Sequence, residues 1–303
     1  MHGRDRSQTR PYHWSHMARI DLTSPVQLTE LFRRHNFRPK KRFGQNFLVD
    51  RNVLNKILDA ADIHEGDSVL EIGAGAGVLT LAIAEQGAKV AAVEVDRGLL
   101  AILSEVLADY PNAAVVNADF LGLNLPEFLR EHFGEAQVKV IGNLPYYITS
   151  PIIAELLQAR SQTERIVVTV QKEVADRLKA SPGTKDYSSM SVFVQYYSVP
   201  EIVAHVSKNV FLPPPDVSSA VMRLTPRTKP PVEAPSDELF FGVVHCAFGQ
   251  RRKTLLNSLS DCPALGLTKE QVSQVLHGAE IAPSRRAETL SLEEFARIAR
   301  QLG

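Results

Sequence analysis

The sequence predicts an α/β protein in which a mixed, mostly parallel sheet is covered by helices and followed by a small all-helical domain. Three observations carry this. Short, β-branched, nearly all-apolar runs alternate with amphipathic helical segments from Asp50 onward, the pattern of strands buried on both faces by crossover helices. One strand enters a helix through the glycine-rich turn Gly73-Ala74-Gly75-Ala76-Gly77, and this corner of a doubly wound sheet is where ligands bind. Beyond a proline-rich linker the apolar period is helical only.

Composition agrees. The chain has 303 residues, 44% hydrophobic and 22% charged, with 17 Gly and 18 Pro. These values exclude disordered, collagen-like and coiled-coil classes and leave ample chain for a core. The longest uncharged stretch, Val140 to Ala154, contains Asn143, Pro145 and Pro151, and is too short and polar to span a bilayer. The two cysteines, Cys246 and Cys262, build no disulfide framework and no zinc motif, so a reducing cytoplasm is expected. The formal net charge of zero conceals an uneven distribution. Residues 1–50 carry 10 basic against 4 acidic residues, 51–150 carry 6 against 14, 151–206 carry 6 against 6, and 207–303 carry 12 against 10. Basic flanks around an acidic middle leave polyanion binding open, because local patches rather than totals decide it.

In chain order, residues 1–16 show neither an apolar period nor a signal-peptide core. Residues 1–36 are expected to form a partly disordered extension with one short helix, Val26–Arg34. The sheet domain spans 37–226. It comprises helix Arg51–Ala61, strand Ser68–Ile72, helix Val78–Gln86, strand Lys89–Val93, helix Arg97–Ala108 and strands Ala114–Asn117 and Val138–Ile141. Next come helix Pro151–Ala159, with Ser150 as N-cap and proline at its first position, strand Ile166–Val170 and helix Lys172–Lys179. Two further runs, Ser191–Tyr197 and Ala220–Leu224, have no helix between them and read as an antiparallel edge. The linker 227–236 holds Pro230, Pro231 and Pro235, which no sheet interior accommodates. In the helical domain, 237–303, Leu239–Phe248 and Thr254–Leu259 have an apolar period. Thr268 with Gln271 and Ser291 with Glu294 are capping-box pairs.

Chemistry gathers at the strand ends. The turn has GxGxG spacing, and Val78 stands where a dinucleotide fingerprint places its third glycine, so a nucleoside ligand without a diphosphate fits better than NAD. Read alone, the turn is also compatible with a purely structural corner. Glu94 ends the second strand, where a carboxylate can accept from ribose hydroxyls, and Asp119 follows the third, within reach of an adenine amine. Asn143-Leu144-Pro145-Tyr146 follows the fourth. Adenine N6 is a weak nucleophile because its lone pair is delocalised into the ring. The Asn143 side-chain carbonyl and the Leu144 backbone carbonyl, directed by Pro145, can each accept one N6 hydrogen and localise that pair, while Tyr146 offers a face to the base.

These segments, with Gln45-Asn46-Phe47-Leu48, Phe211-Leu212-Pro213-Pro214-Pro215, Val217, Ser219 and Phe248–Leu255, resemble the rRNA adenine dimethyltransferase family, most closely its bacterial small-subunit members. The resemblance runs from about Arg38 to the C-terminus. It implies a Rossmann-like, S-adenosylmethionine-dependent methyltransferase that dimethylates N6 of two adjacent adenosines in the 3′-terminal hairpin of small-subunit rRNA. It further implies an immature ribosomal subunit as partner, a cytoplasmic monomer, and no metal or membrane. Asn46, Leu48, Gly73, Gly75, Glu94, Asp119 and Asn143 are implied to contact the cofactor. Asn143, Leu144, Pro145 and Tyr146 form the target-base site, and Phe211 is implied to stack on the opposite face of the base; by pattern alone, Phe211 reads equally as packing.

The RNA-contact candidates are Arg38, Lys40, Lys41 and Arg42, which read equally as a solvated charge run, and Arg251, Arg252 and Lys253. The latter group would meet phosphates if a helix begins near Gln250, but not if one helix runs on from Leu239. The rival readings are a large-subunit rRNA methyltransferase of the antibiotic-resistance type and an assembly factor acting mainly by binding. A nicotinamide dehydrogenase is disfavoured by Val78, and a zinc base deaminase by the missing PCxxC.

Overall fold

A computed structural model describes residues 20–40, 43–250 and 252–303. Strands β2 (Ser68–Ile72), β3 (Lys89–Glu94), β4 (Ala113–Asn117), β5 (Val138–Asn143), β6 (Thr163–Gln171), β7 (Ser198–Val206) and β9 (Ser219–Pro226) form a seven-stranded sheet ordered β4-β3-β2-β5-β6-β9-β7. The β4 to β6 part is parallel, β9 adds antiparallel to β6, and β7 adds antiparallel to β9. The chain winds outward from β2 through β3 to β4, then returns to place β5 on the other side of β2. This reversal opens a crevice at the carboxyl ends of β2 and β5. A separate two-stranded ribbon pairs β1 (Phe47–Leu48) with β8 (Phe211–Leu212), Phe47 opposite Leu212 and Leu48 opposite Phe211.

The sheet buries both faces because alternate residues point to opposite sides. Val69, Val90, Ala92, Ile141, Val167 and Val221 pack with helices α1 (Pro25–Arg34), α2 (Arg51–Ala61), α3 (Val78–Glu85) and α4 (Leu100–Val106). Their neighbours Leu70, Ala91, Val93, Val140, Val168 and Met222 pack with α5 (Leu125–Phe133), α6 (Thr149–Gln158), α7 (Lys172–Lys179) and α8 (Ser189–Tyr197). That second face is continuous with the C-terminal helices α9 (Asp237–Phe248), α10 (Leu255–Ser260), α11 (Lys269–Gly278) and α12 (Leu292–Arg300), which supply Phe240, Val243, Leu255, Leu276 and Phe295 to the same core. Both expected capping boxes form, at Thr268 with Gln271 and at Ser291 with Glu294.

Several expectations are corrected. The run Ser191–Tyr197 is not a strand but most of α8. Ser188 accepts the Ser191 amide and Ser191 returns the bond in a capping box, and that local nucleus outweighs the β-branched and aromatic composition. The edge strand is instead β7, which carries Pro200 and shifts register between Ile202 and Ala204; an edge tolerates both. Helix α5 lies between β4 and β5, where no helix was expected, capped by Asn124 and burying Leu125, Phe128, Leu129 and Phe133. Helix α6 starts at Thr149, so Ser150 is not its N-cap and Pro151 sits inside its first turn. Cys246 and Cys262 are disulfide-bonded, because α9 and the end of α10 bring their Cα atoms to 5.5 Å. The cysteines therefore give no indication of a reducing compartment. Among the described residues, no helix is long and apolar enough to cross a membrane.

The described part of the expected N-terminal extension is ordered structure. Ser24 caps α1, and Leu28, Leu31 and Phe32 are buried against the face formed by α2 to α4. Leu31→Ala should cost about 2–5 kcal/mol, the usual range for emptying a buried leucine site, read as a lower urea midpoint at unchanged slope. An unchanged midpoint would mean that α1 adds nothing to the folded unit.

Candidate functional site

The crevice at the reversal is a cavity of about 1270 Å³, counted out to the solvent at its mouth, and it gathers the cofactor-site and base-site candidates other than Phe211. Asn46 and Leu48 come from β1 and its approach, Gly73 and Gly75 from the turn after β2, Glu94 from the end of β3 and Asp119 from the turn after β4. Asn143, Leu144, Pro145 and Tyr146 come from the end of β5.

The glycine turn explains which ligands the cavity can take. Gly73 and Gly75 have φ of 79° and 57°, a region L side chains rarely adopt. A Cβ on Gly75 would also come within 3.3 Å of the Phe47 ring. The turn's amides are largely consumed inside the protein. Those of Gly73 and Ala74 bond the Val93 carbonyl at 2.9 and 3.2 Å, that of Gly77 bonds the Ala74 carbonyl at 2.9 Å, and that of Gly75 bonds Glu94 Oε2 at 2.8 Å. A diphosphate needs such amides free to cradle its oxygens. The turn thus closes against dinucleotides and suits a nucleoside held by van der Waals contact and carboxylates.

Two carboxylates sit deep in this wall. Glu94 Oε1 accepts from the Asp96 amide at 2.7 Å while Oε2 takes Gly75, leaving each oxygen a further lone pair for a hydroxyl. Burial outweighs these bonds and raises its pKa. Glu71, fully enclosed, accepts from Thr80 Oγ1 at 2.5 Å. Burial, opposed by that bond and reinforced by the Glu94 charge, pushes its pKa up to about 8. The sequence offered no reason to single out Glu71, whose position before the turn reads as an ordinary strand residue.

The base-site residues are braced individually. Asn143 Nδ2 donates to the Asn46 carbonyl at 2.7 Å. Only the nitrogen end of an amide can do so, so Oδ1 is the end left to the cavity. The Leu144 amide bonds the Thr169 carbonyl at 3.1 Å, fixing the peptide ahead of Pro145. The Tyr146 hydroxyl bonds Ser219 Oγ at 2.7 Å, and burial raises its pKa. Ser219, enclosed at the start of β9, is a support the sequence reading placed in a motif without a role.

Phe211 departs from its implied place. It is 3% exposed, pairs with Leu48 in the β1–β8 ribbon and lies in the apolar core, outside the cavity lining. In this structure it anchors the Asn46–Leu48 wall rather than facing a base. The basic candidates also divide. Lys40 Nζ is bound to Asp96 at 2.5 Å, and Gln45 holds the other Asp96 oxygen at 2.9 Å. Lys253 pairs with Asp261 at 2.7 Å. Arg38 and Arg252 are exposed, while Lys41, Arg42 and Arg251 lie outside the described residues. No helix begins near Gln250: α9 ends at Phe248 and α10 starts at Leu255, after the cations.

The model of the ribosomal RNA adenine dimethylase family matches residues 36–302. The chain belongs to that family. A ribosomal RNA small subunit methyltransferase A from Alkaliphilus oremlandii is 46% identical over 281 residues, covering 93% of this chain and 98% of that protein. The same-named protein of Geobacillus thermodenitrificans is 46% identical over 284 residues, covering 93% and 97%. Among solved structures, a dimethyladenosine transferase from Plasmodium falciparum superposes with a TM-score of 0.70 at 25% identity, over 83% of this chain and 95% of that one. The 23S rRNA methyltransferase ErmE gives 0.65 at 30% identity, over 85% and 99%. Family membership makes the chain an adenine dimethyltransferase with S-adenosylmethionine as methyl donor. That cofactor fits the residues present, being a nucleoside without phosphates that meets the carboxyl groups of Glu94 and Asp119.

Glu71 gives the site a pH signature. Its carboxyl ionises near 4.5 when unfolded and near 8 when folded, so between these values the unfolded state binds fewer protons and stability falls as pH rises. Glu71→Gln keeps an acceptor for Thr80 and removes the titration. The variant should gain stability over wild type on going from pH 5 to pH 8, measured by urea unfolding at both. A difference that does not change with pH would show that Glu71 ionises equally in both states.

Proposed function

We propose that this chain transfers methyl groups from S-adenosylmethionine to N6 of two adjacent adenosines in the 3′-terminal hairpin of small-subunit rRNA, within an immature subunit, as a cytoplasmic monomer. The observation that carries this reading is the Asn143 amide, turned by its bond to Asn46 so that an acceptor oxygen belongs to the cavity shared with Gly73 and Glu94. The small-subunit target is favoured over the large-subunit one by the 46% identity to proteins named for the small subunit, against 30% to ErmE. The cytoplasmic placement rests on the ribosomal substrate.

S-adenosylmethionine, when bound, supplies a methyl group already activated by the sulfonium. The chain's own task is alignment, which accounts for much of the acceleration when reacting atoms are held in line. Asn46, Leu48, Gly73, Gly75, Glu94 and Asp119 hold the nucleoside end. Asn143 Oδ1 and the Leu144 carbonyl accept the two N6 hydrogens, drawing the amine toward a tetrahedral shape with its lone pair on nitrogen. The Tyr146 ring, braced by Ser219, supports the base. Methylation makes the amine cationic, and it loses its proton readily, so no strong base is needed. The second methylation requires N6 to return with one hydrogen replaced, leaving a single acceptor contact in use. Of the basic candidates, Arg38 and Arg252 are exposed, and the contacts to phosphates are assigned to them.

Asn143→Ala should lower kcat by roughly 10²–10³-fold, the scale for losing one preorganised polar contact to the reacting group, and, because it also removes the bond to the Asn46 carbonyl, should weaken cofactor binding and lower stability by about 1 kcal/mol. Asn143→Asp should fare no better, since a carboxylate cannot donate to the Asn46 carbonyl. The measurement is incubation of immature small subunits with labelled cofactor, followed by nucleoside analysis for N6,N6-dimethyladenosine. A wild-type enzyme that yields none would overturn the assignment.

A further inference from the structure

Exposed apolar side chains are unevenly spread over the described surface. Val95, Leu121 and Tyr147 are all more than two-fifths or close to two-fifths exposed, and all three line the mouth of the cavity. Val217, also exposed, lies two residues before the Ser219 that braces Tyr146. Tyr147 is the most exposed of these four, with 63% of its surface open although it is adjacent in sequence to the half-buried Tyr146; Val26 and Val199, the other exposed apolar residues of the described surface, lie away from the cavity. Its ring flanks Gly44. A Cβ on Gly44 would stand 3.8 Å from Tyr147 Cδ1 and Cε1, so one edge of the ring lies against the bare backbone at Gly44 while the remainder is open to solvent.

This geometry has no role in holding one flipped adenine, since Asn143, Leu144 and Tyr146 serve that purpose. We propose that Tyr147 is the stacking platform for the nucleotide next to the target adenosine, a second base subsite on the rim of the cavity. The inference rests on the function proposed above. When one base leaves a stack, its neighbour loses half of its stacking contact and stays one phosphodiester away from the cavity mouth. A large aromatic face at that mouth replaces the lost contact, and exposed aromatics recover stacking energy from any base. The short apolar side chains Val95 and Leu121 extend the dry rim around it. With two adjacent adenosines as substrate, the same subsite receives whichever of the pair is not being methylated.

The test uses the full chain and small ribosomal subunits that lack the modification. Tyr147→Ala should lower kcat/KM for subunits by roughly 5- to 100-fold, the range for losing one base–aromatic stack, mainly through KM. Tyr147→Phe and Tyr147→Trp should remain within about threefold of wild type, since the face and not the hydroxyl is used. S-adenosylmethionine affinity should be the same in all four proteins, which also reports correct folding. A second measurement addresses the RNA. With the neighbouring adenosine replaced by an abasic nucleotide, wild type should fall to the level of Tyr147→Ala, and Tyr147→Ala should lose nothing further. The subsite is refuted if Tyr147→Ala keeps wild-type kcat/KM, if Tyr147→Phe is as impaired as the alanine variant, or if the abasic neighbour impairs both proteins equally. Absence of dimethyladenosine with the wild-type protein would instead count against the parent function.

Discussion

The hydrogen bond from Asn143 Nδ2 to the Asn46 carbonyl joins the two halves of the site. It ties the end of β5, the proposed base site, to a segment that lines the cavity, and it decides which end of the Asn143 amide is left to a ligand. A freely rotating amide would present a donor to N6 as often as an acceptor, and a donor there repels the amine hydrogens. The backbone segment carrying Asn46 is in turn fixed by the β1–β8 ribbon and by Gln45, which bridges the Lys40 amide and the Asp96 carboxylate. Orientation at one amide therefore depends on contacts far away in the chain, and the fold's crevice would be chemically indifferent without it.

Electrostatics divides the labour between cavity and surface. The acidic stretch 51–150, with 6 basic and 14 acidic residues, supplies Glu94 and Asp119 to the cleft. A cationic sulfonium is welcome there and a phosphate is not. RNA can present a neutral base to such a cleft only if its backbone stays outside, which fits a rim of apolar and aromatic groups with basic residues confined to the flanks. The consumed amides of the glycine turn enforce the same exclusion at short range.

The strand-end residues were legible in the sequence because each depends on a local signal: a glycine turn, an acid after an apolar run, a proline that directs a carbonyl. Residues decided by tertiary packing were not. Phe211 before a proline run reads equally as stacking or packing, and the partner that settles it, Leu48, is on a distant strand. Lys40 looks like part of a solvated run until Asp96, 56 positions away, is brought to it. The Ser191–Tyr197 segment has a strand's composition, and only the Ser188–Ser191 cap turns it into a helix. Helix α5 did leave a readable signal, since Asn124 precedes Leu125, Phe128 and Leu129 at helical spacing. The cysteine pair could not be inferred at 16 residues apart, because only helix packing closes that distance.

The β1–β8 ribbon has a temporal consequence. Phe47 and Leu48 leave the ribosome early, but their partners Phe211 and Leu212 follow only after most of the parallel sheet has been made. A nascent chain that has already built the glycine turn and the Asn143 corner still lacks the clamp that holds the Asn46 wall. The Asn46 wall therefore cannot be clamped until residue 212 of 303 has been made, after every strand of the parallel part of the sheet.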